Sequence, residues 1–76
     1  MEVQLTLHGI LRDYLPRQAK GKATLDLPAG TTIDDVVQRL NIKQNVSAAV
    51  GGDEVETNHI LQDGQELHLF RFIAGG

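Results

Sequence analysis

The sequence closes with Ile73-Ala74-Gly75-Gly76, and this end carries its clearest chemical signal. Two glycines give the thinnest backbone available and allow φ values that are closed to other residues. Four extended residues span about 13 Å, so an end of this kind can reach well beyond the domain that carries it. The Gly76 carboxylate is therefore the candidate site of chemistry, the alternative being a diglycine that arose by chance.

Few other residues suggest chemistry. Cysteine is absent, which excludes disulfides, thiolate metal sites, iron–sulfur clusters and cysteine nucleophiles. His8, His59 and His68 could hold a metal only if the fold brought them together, and no carboxylate spacing supports such a site. Asp34 and Asp35 fit the first turn of a helix, where the helix dipole favours acidic side chains, better than an acid/base pair. We expect surface histidines, no bound metal and no bound cofactor.

Length and charge limit the class of protein. A chain of 76 residues forms one domain, which is too small to enclose an active-site cavity of its own. A net charge of −3 without a visible basic patch argues against a nucleic-acid partner. No apolar run reaches the length of about 18 residues that a membrane span needs, and the start of the sequence lacks a signal-peptide pattern. We expect a cytoplasmic protein that binds neither nucleic acid nor membrane.

Hydrophobic periodicity predicts the elements that position the end of the chain. Period-two alternation predicts strands at residues 2–8, 23–27 and 66–73. A small-residue stretch at 46–50, the turn-forming Gly51-Gly52 and a short charged stretch at 53–57 predict a hairpin of two further strands. Ile33 begins an i, i+3, i+4, i+7 apolar stripe, which predicts the main helix. Thr32 is its predicted N-cap, Asp35 the partner in a capping box and Asn41 the C-terminal cap. Helical spacing also predicts a short turn over residues 10–15.

A single helix must cover one face of a single sheet. The predicted fold class is therefore α+β with a β-grasp architecture, in which a mixed four- to five-stranded sheet wraps over one main helix. We expect residues 1–76 to form this one domain and residues 74–76 to form a flexible tail.

The last predicted strand has two different faces. Leu67 and Leu69 point inward if the strand is half-buried, which turns Phe70 and Phe72 outward beside the tail. Exposed aromatic side chains on a strand of a small protein indicate an interface. Packing of both phenylalanines under the segment 10–22 is the alternative. Arg71 either contacts a partner or is simply solvated, and the sequence favours neither alternative.

Five stretches of sequence together resemble a known family: Ile10–Leu15, Gly30–Val36, Val46–Val50, Leu61–Leu67 and Ile73–Gly76. Their order along the chain resembles that of ubiquitin, and it resembles the order in the bacterial and archaeal sulfur carriers more closely. These carriers are the small subunit of molybdopterin synthase and the thiamine-pathway sulfur carrier. The length of the segment between the first two strands resembles the molybdopterin branch. Gly51 and the Phe70–Phe72 approach to the diglycine depart from the usual pattern of the family.

The resemblance implies a function. A partner adenylating enzyme would use ATP to activate Gly76, and a sulfur donor would then convert it to a thiocarboxylate. A larger synthase subunit would accept the sulfur, so the chain would be a carrier and not an enzyme. The tail would comprise Ala74, Gly75 and Gly76, and the partner-binding residues implied are His68, Phe70, Arg71, Phe72 and Ile73. A thiamine-pathway carrier, a protein modifier joined through Gly76 and a plain interaction module with an inert tail are the alternatives.

Overall fold

Five strands form a single sheet in the computed structural model, which describes residues 1–72. The strands are β1 (Glu2–Leu7), β2 (Lys22–Asp26), β3 (Val46–Val50), β4 (Asp53–Val55) and β5 (Glu66–Arg71). One α-helix, α1 (Ile33–Arg39), lies between β2 and β3 in the chain. Two 3₁₀ helices, Gly9–Tyr14 and Arg17–Ala19, connect β1 to β2. Within residues 1–72, no helix is long and apolar enough to cross a membrane.

The sheet is mixed. Its strand order is β2-β1-β5-β3-β4, in which β1 and β5 run parallel and the other neighbouring pairs run antiparallel. Because β1 and β5 point the same way, the first 3₁₀ helix and the end of the chain both leave from one end of the sheet. This topology places the segment that follows β1 beside the approach to the last residues.

The core lies between the sheet and α1, which contributes Ile33 and Val36. Its buried apolar side chains are Val3, Leu5, Leu7, Leu11, Leu27, Ile33, Val36, Ile42, Ala48, Val50, Leu61, Leu67 and Leu69. No polar or charged residue of the described chain is fully buried. The predicted α+β fold with one helix on one face of a mixed sheet is therefore confirmed.

The capping box predicted at the start of α1 is present. The backbone N–H of Asp35 donates to Thr32 Oγ1 (3.2 Å), and the N–H of Thr32 donates to Asp35 Oδ2 (3.0 Å). At the other end Leu40 is the C-cap, and Asn41 follows it in the left-handed conformation with φ 58°. Short-range hydrogen bonds thus delimit the helix, as the sequence pattern predicts.

Replacing Thr32 by alanine removes the oxygen that accepts from Asp35. We expect Thr32→Ala to lower the free energy of unfolding by about 0.5–2 kcal/mol, measured by urea denaturation. Thr32→Ser keeps an acceptor oxygen and is the control. Equal losses in the two variants would show that the methyl group of Thr32, and not the cap, carries the effect.

Several boundaries differ from the sequence-based expectation. The strand predicted over 53–57 ends at Val55, because the Thr57 carbonyl accepts from the N–H of Asp34 at the start of α1 (2.8 Å) instead of pairing in the sheet. Strand β5 ends at Arg71 and not at residue 73. The second 3₁₀ helix, Arg17–Ala19, was not predicted, because three residues carry no detectable periodicity.

Candidate functional site

A row of rings at the end of β5 forms what we call the aromatic strip: His68 and Phe70 on β5, His8 directly after β1 and Phe72 directly after β5. Alternation along β5 buries Leu67 and Leu69 completely and leaves the side chains of Phe70 and Phe72 40% and 50% exposed. Phe72 is the last described residue of the chain. The aromatic strip therefore lies on the surface that leads directly to the final residues.

Three rings of the aromatic strip, those of His8, His68 and Phe70, contact one another. The ring of Phe70 stacks on that of His8, with centroids 4.4 Å apart and planes 8° from parallel. His8 Nε2 lies 2.9 Å from His68 Nδ1, a hydrogen bond between neighbouring strands. Phe70 is thus neither isolated in solvent nor packed beneath the segment 10–22, because one of its faces is covered by His8 and the remainder is exposed. Partly fixed rings lose less rotamer freedom when a partner covers them.

Burial and neighbouring positive charge favour the neutral form of His8. The pKa of His8 is lowered from its ordinary value of 6.5, first by burial of the ring and then by the positive charges of His68, Arg12 and Lys22. The hydrogen bond between the two imidazoles needs one bare nitrogen as its acceptor.

This lowered pKa makes the stability of the protein depend on pH. Below pH 6.5 the unfolded chain binds a proton at residue 8 more readily than the folded chain does, so the free energy of unfolding falls as the pH drops through this window. We expect a smaller fall between pH 7.5 and 5.5 in His8→Gln than in the unaltered protein, as measured by urea denaturation at each pH. The same slope in both proteins, together with an NMR titration that shows an ordinary pKa at His8, would contradict this.

Phe72 also borders a second feature, a groove of about 520 Å³ between α1 and the β3–β4 hairpin. Its N–H donates to the carbonyl of Asn45 (2.9 Å), which continues the pairing of β5 with the start of β3. Three carboxylates line the groove, those of Asp34, Glu54 and Glu56. Apolar and acidic surface therefore meet at Phe72, the last residue that the structure describes.

The remaining predicted site residues fall into two groups. Arg71 is exposed and makes no ion pair within residues 1–72. Ile73, Ala74, Gly75 and Gly76, together with the predicted flexible tail, lie outside the described residues. Among residues 1–72, no three histidine, aspartate or glutamate side chains are grouped so that they could hold a metal ion.

The contact of His8 with Phe70 was not predicted from the sequence, which singled out His8 and His68 together only as possible metal ligands. The parallel pairing of β1 with β5, in which Thr6 is opposite His68, brings His8 to the end of β5. The sequence does show a histidine at the end of the first strand, but which ring it contacts depends on which strand pairs with β1. Pairing between β1 and β5, some 60 residues apart, cannot be read from local periodicity.

Comparison with solved structures defines the class as the β-grasp fold of ubiquitin-like proteins. The putative molybdopterin converting factor subunit 1 of Pyrococcus furiosus is 18% identical over 96% of this chain and 99% of its own, with a TM-score of 0.74. The small archaeal modifier protein 1 of Haloferax volcanii is 14% identical over 95% and 98%, with a TM-score of 0.73. A chain of the complex of subunits 1 and 2 of the Helicobacter pylori molybdopterin-converting factor is 15% identical over 100% of both chains, with a TM-score of 0.63.

The sequence assigns the family more narrowly. The model of the ThiS family matches residues 11–76, which is most of the chain. The chain belongs to the ThiS family, in the group of ThiS/MoaD-like, ubiquitin-like sulfur carriers. No curated protein matches the sequence.

Proposed function

We propose that the chain is a sulfur carrier whose Gly76 is adenylated by a partner enzyme and then converted to a thiocarboxylate. The observation that carries the proposal is the match to the ThiS family, which runs through Gly75 and Gly76 at the end of the sequence. The proposal treats residues 1–76 as one β-grasp unit with residues 74–76 as its tail.

The chemistry requires only a terminal carboxylate from this chain. One carboxylate oxygen of Gly76 attacks the α-phosphorus of ATP, pyrophosphate leaves, and a mixed anhydride with AMP is formed. A sulfide delivered by a sulfur donor then attacks the carbonyl carbon and expels AMP, which leaves the thiocarboxylate. The partners supply the nucleotide site and the catalytic groups, so the chain acts as a carrier without catalytic residues of its own. Use of ATP by the partner is consistent with the expected cytoplasmic location.

The aromatic strip is the proposed docking surface. Phe70 and Phe72 expose apolar rings next to the tail, and burying each ring would contribute on the order of 1.5–3 kcal/mol. His68 lies in the same strip, while Arg71 and Ile73 flank it in sequence. Because four extended residues span about 13 Å, Gly76 would reach the active site of a partner that covers the strip if that site lay within about 13 Å of Phe72.

Molybdopterin synthesis is the proposed pathway. Two of the similar structures carry molybdopterin-converting-factor names, and one of these is a complex of subunit 1 with subunit 2. A larger synthase subunit is therefore the proposed acceptor of the sulfur. A carrier in thiamine or another sulfur-metabolite pathway uses the same reaction at Gly76 and differs only in the acceptor.

A protein modifier is the second candidate. The similar fold of the Haloferax volcanii modifier protein favours this alternative, in which the activated carbonyl of Gly76 forms an amide with a lysine of a target. The two functions share the adenylate and differ in the group that displaces AMP.

Reconstitution with the adenylating enzyme of the same organism tests the proposal. With ATP present, we expect pyrophosphate release that depends on this chain, and a thiocarboxylate once a sulfur donor is added. Formation of amide-linked conjugates in place of the thiocarboxylate would favour the modifier. Absence of any chain-dependent pyrophosphate release would contradict both functions.

A further inference from the structure

A concave surface lies between the two 3₁₀ helices and the start of β2, at the end of the sheet from which the chain leaves toward its last residues. It encloses about 430 Å³, and the residues that line it include Arg12, Asp13, Arg17 and Lys20. We call it the basic groove. It is separate from the aromatic strip and has no part in the reaction proposed for Gly76.

Positive charge is concentrated in this segment. Residues 12–22 hold four of the seven lysine and arginine residues but one of the ten carboxylates, so their net charge is +3. The rest of the chain carries three of these cations and nine carboxylates, a net charge of −6. The basic groove is therefore a positive site on an otherwise acidic protein.

The cations of the groove have no ionic partner within residues 1–72. The one ion pair found there joins the amino group of Met1 to Asp26, at 3.7 Å. Arg12, Arg17 and Lys20 therefore border one concavity with a single carboxylate, Asp13, to offset them. Like charges around a shared space repel one another, and an anion placed between them relieves the repulsion.

The fold positions one of these cations. Gly21 has φ 78°, and a Cβ built on it would lie 2.9 Å from Cγ of Arg12 and 2.7 Å from the carbonyl oxygen of Leu7. The stem of Arg12 thus packs against a backbone that only glycine can provide here. A side chain held in this way loses less conformational freedom on binding than a free arginine does.

We propose that the basic groove binds a small molecule that carries a phosphate group, held by Arg12, Arg17 and Lys20. Three cations and Asp13 leave a net charge of +2 around the groove, which matches a phosphate dianion, and guanidinium groups suit phosphate geometry. An extended polyanion such as RNA is disfavoured, because it would have to cross the acidic remainder of the surface. A bound dianion near Arg12 would also offset part of the positive charge acting on His8.

NMR titration with inorganic phosphate and with pyrophosphate, at constant ionic strength, tests this proposal. We expect saturable shifts confined to the amides of residues 9–22 and an increase in the pKa of His8 relative to chloride buffer. The double variant Arg17→Gln/Lys20→Gln should bind at least about tenfold more weakly. The control Arg39→Gln alters an exposed cation at the end of α1 and should bind as the unaltered protein does.

Three outcomes would overturn the proposal. The first is the absence of saturable shifts with either anion. The second is equal affinity in the double variant and in Arg39→Gln, which would indicate general screening. The third is binding of an acidic peptide, such as hexaglutamate, without binding of either phosphate compound, which would make the groove a protein-docking site. Since the chain alone is titrated, each outcome is independent of whether Gly76 is activated.

Discussion

Adding a single alanine after Gly76 abolishes activation while the domain stays folded, according to the proposed reaction. In the proposed reaction, the extension would move the terminal carboxylate one residue beyond the position of activation, and it would place a Cβ where we propose that the partner's channel admits only glycine. We expect chain-dependent pyrophosphate release to fall to background, with the same urea-unfolding midpoint as the unaltered protein. Gly75→Ala should act in the same direction.

The control for this experiment is the same extended protein carrying a protease site that leaves Gly76 as the final residue after cleavage. Cleavage should restore activation fully. If the extended protein formed the adenylate as fast as the cleaved one, the reacting carbonyl would not be that of Gly76.

The two faces of β5 predict opposite outcomes for neighbouring substitutions. Leu69 is completely buried, whereas the side chain of Phe70 is 40% exposed and stacks on His8. We expect Leu69→Ala to lower the free energy of unfolding by about 2–5 kcal/mol. Phe70→Ala should cost about 1 kcal/mol, mainly for the lost stacking, but should weaken binding to the adenylating enzyme or to the larger subunit by at least about tenfold.

Urea denaturation and calorimetric titration with the purified partner measure these two effects separately. Ile60→Ala is the matched control, because Ile60 is also an exposed apolar residue, 57% accessible, but lies in the loop that pairs with Thr32. It should leave binding unchanged. A loss of about 3–5 kcal/mol in Phe70→Ala would mean that Phe70 belongs to the core. Equal losses of binding affinity in Phe70→Ala and Ile60→Ala would show that the aromatic strip is not the docking surface.

Local patterns predicted most of the fold. Alternation identified β1, β2 and β5, the Gly51-Gly52 turn identified the β3–β4 hairpin, and the capping box of Thr32 with Asp35 located the start of α1, because each signal depends on residues at most four apart. Burial of Leu67 and Leu69 followed from the same alternation. The β-grasp arrangement then followed from having one helix to cover one face of one sheet.

The features that were missed depend on tertiary pairing. The stacking of His8 on Phe70 exists because β1 and β5 are parallel neighbours. The basic groove forms where the connection between β1 and β2 folds back over Gly21, so cations spread along residues 12–22 come to line one surface. Neither contact can be predicted from the local hydrophobic periodicity of the sequence. The chemistry at Gly76, by contrast, was predicted from the sequence end and stays a prediction.

Tandem mass spectrometry of the C-terminal peptide, from the chain isolated out of its own cells, tests the sulfur-carrier function most directly. The account predicts a fraction of peptide in which one carboxylate oxygen of Gly76 is replaced by sulfur, and predicts that this fraction disappears when the gene for the adenylating enzyme is deleted. A peptide that carries only an unmodified carboxylate, or an amide bond to a lysine of another protein, in cells with the enzyme intact would contradict it.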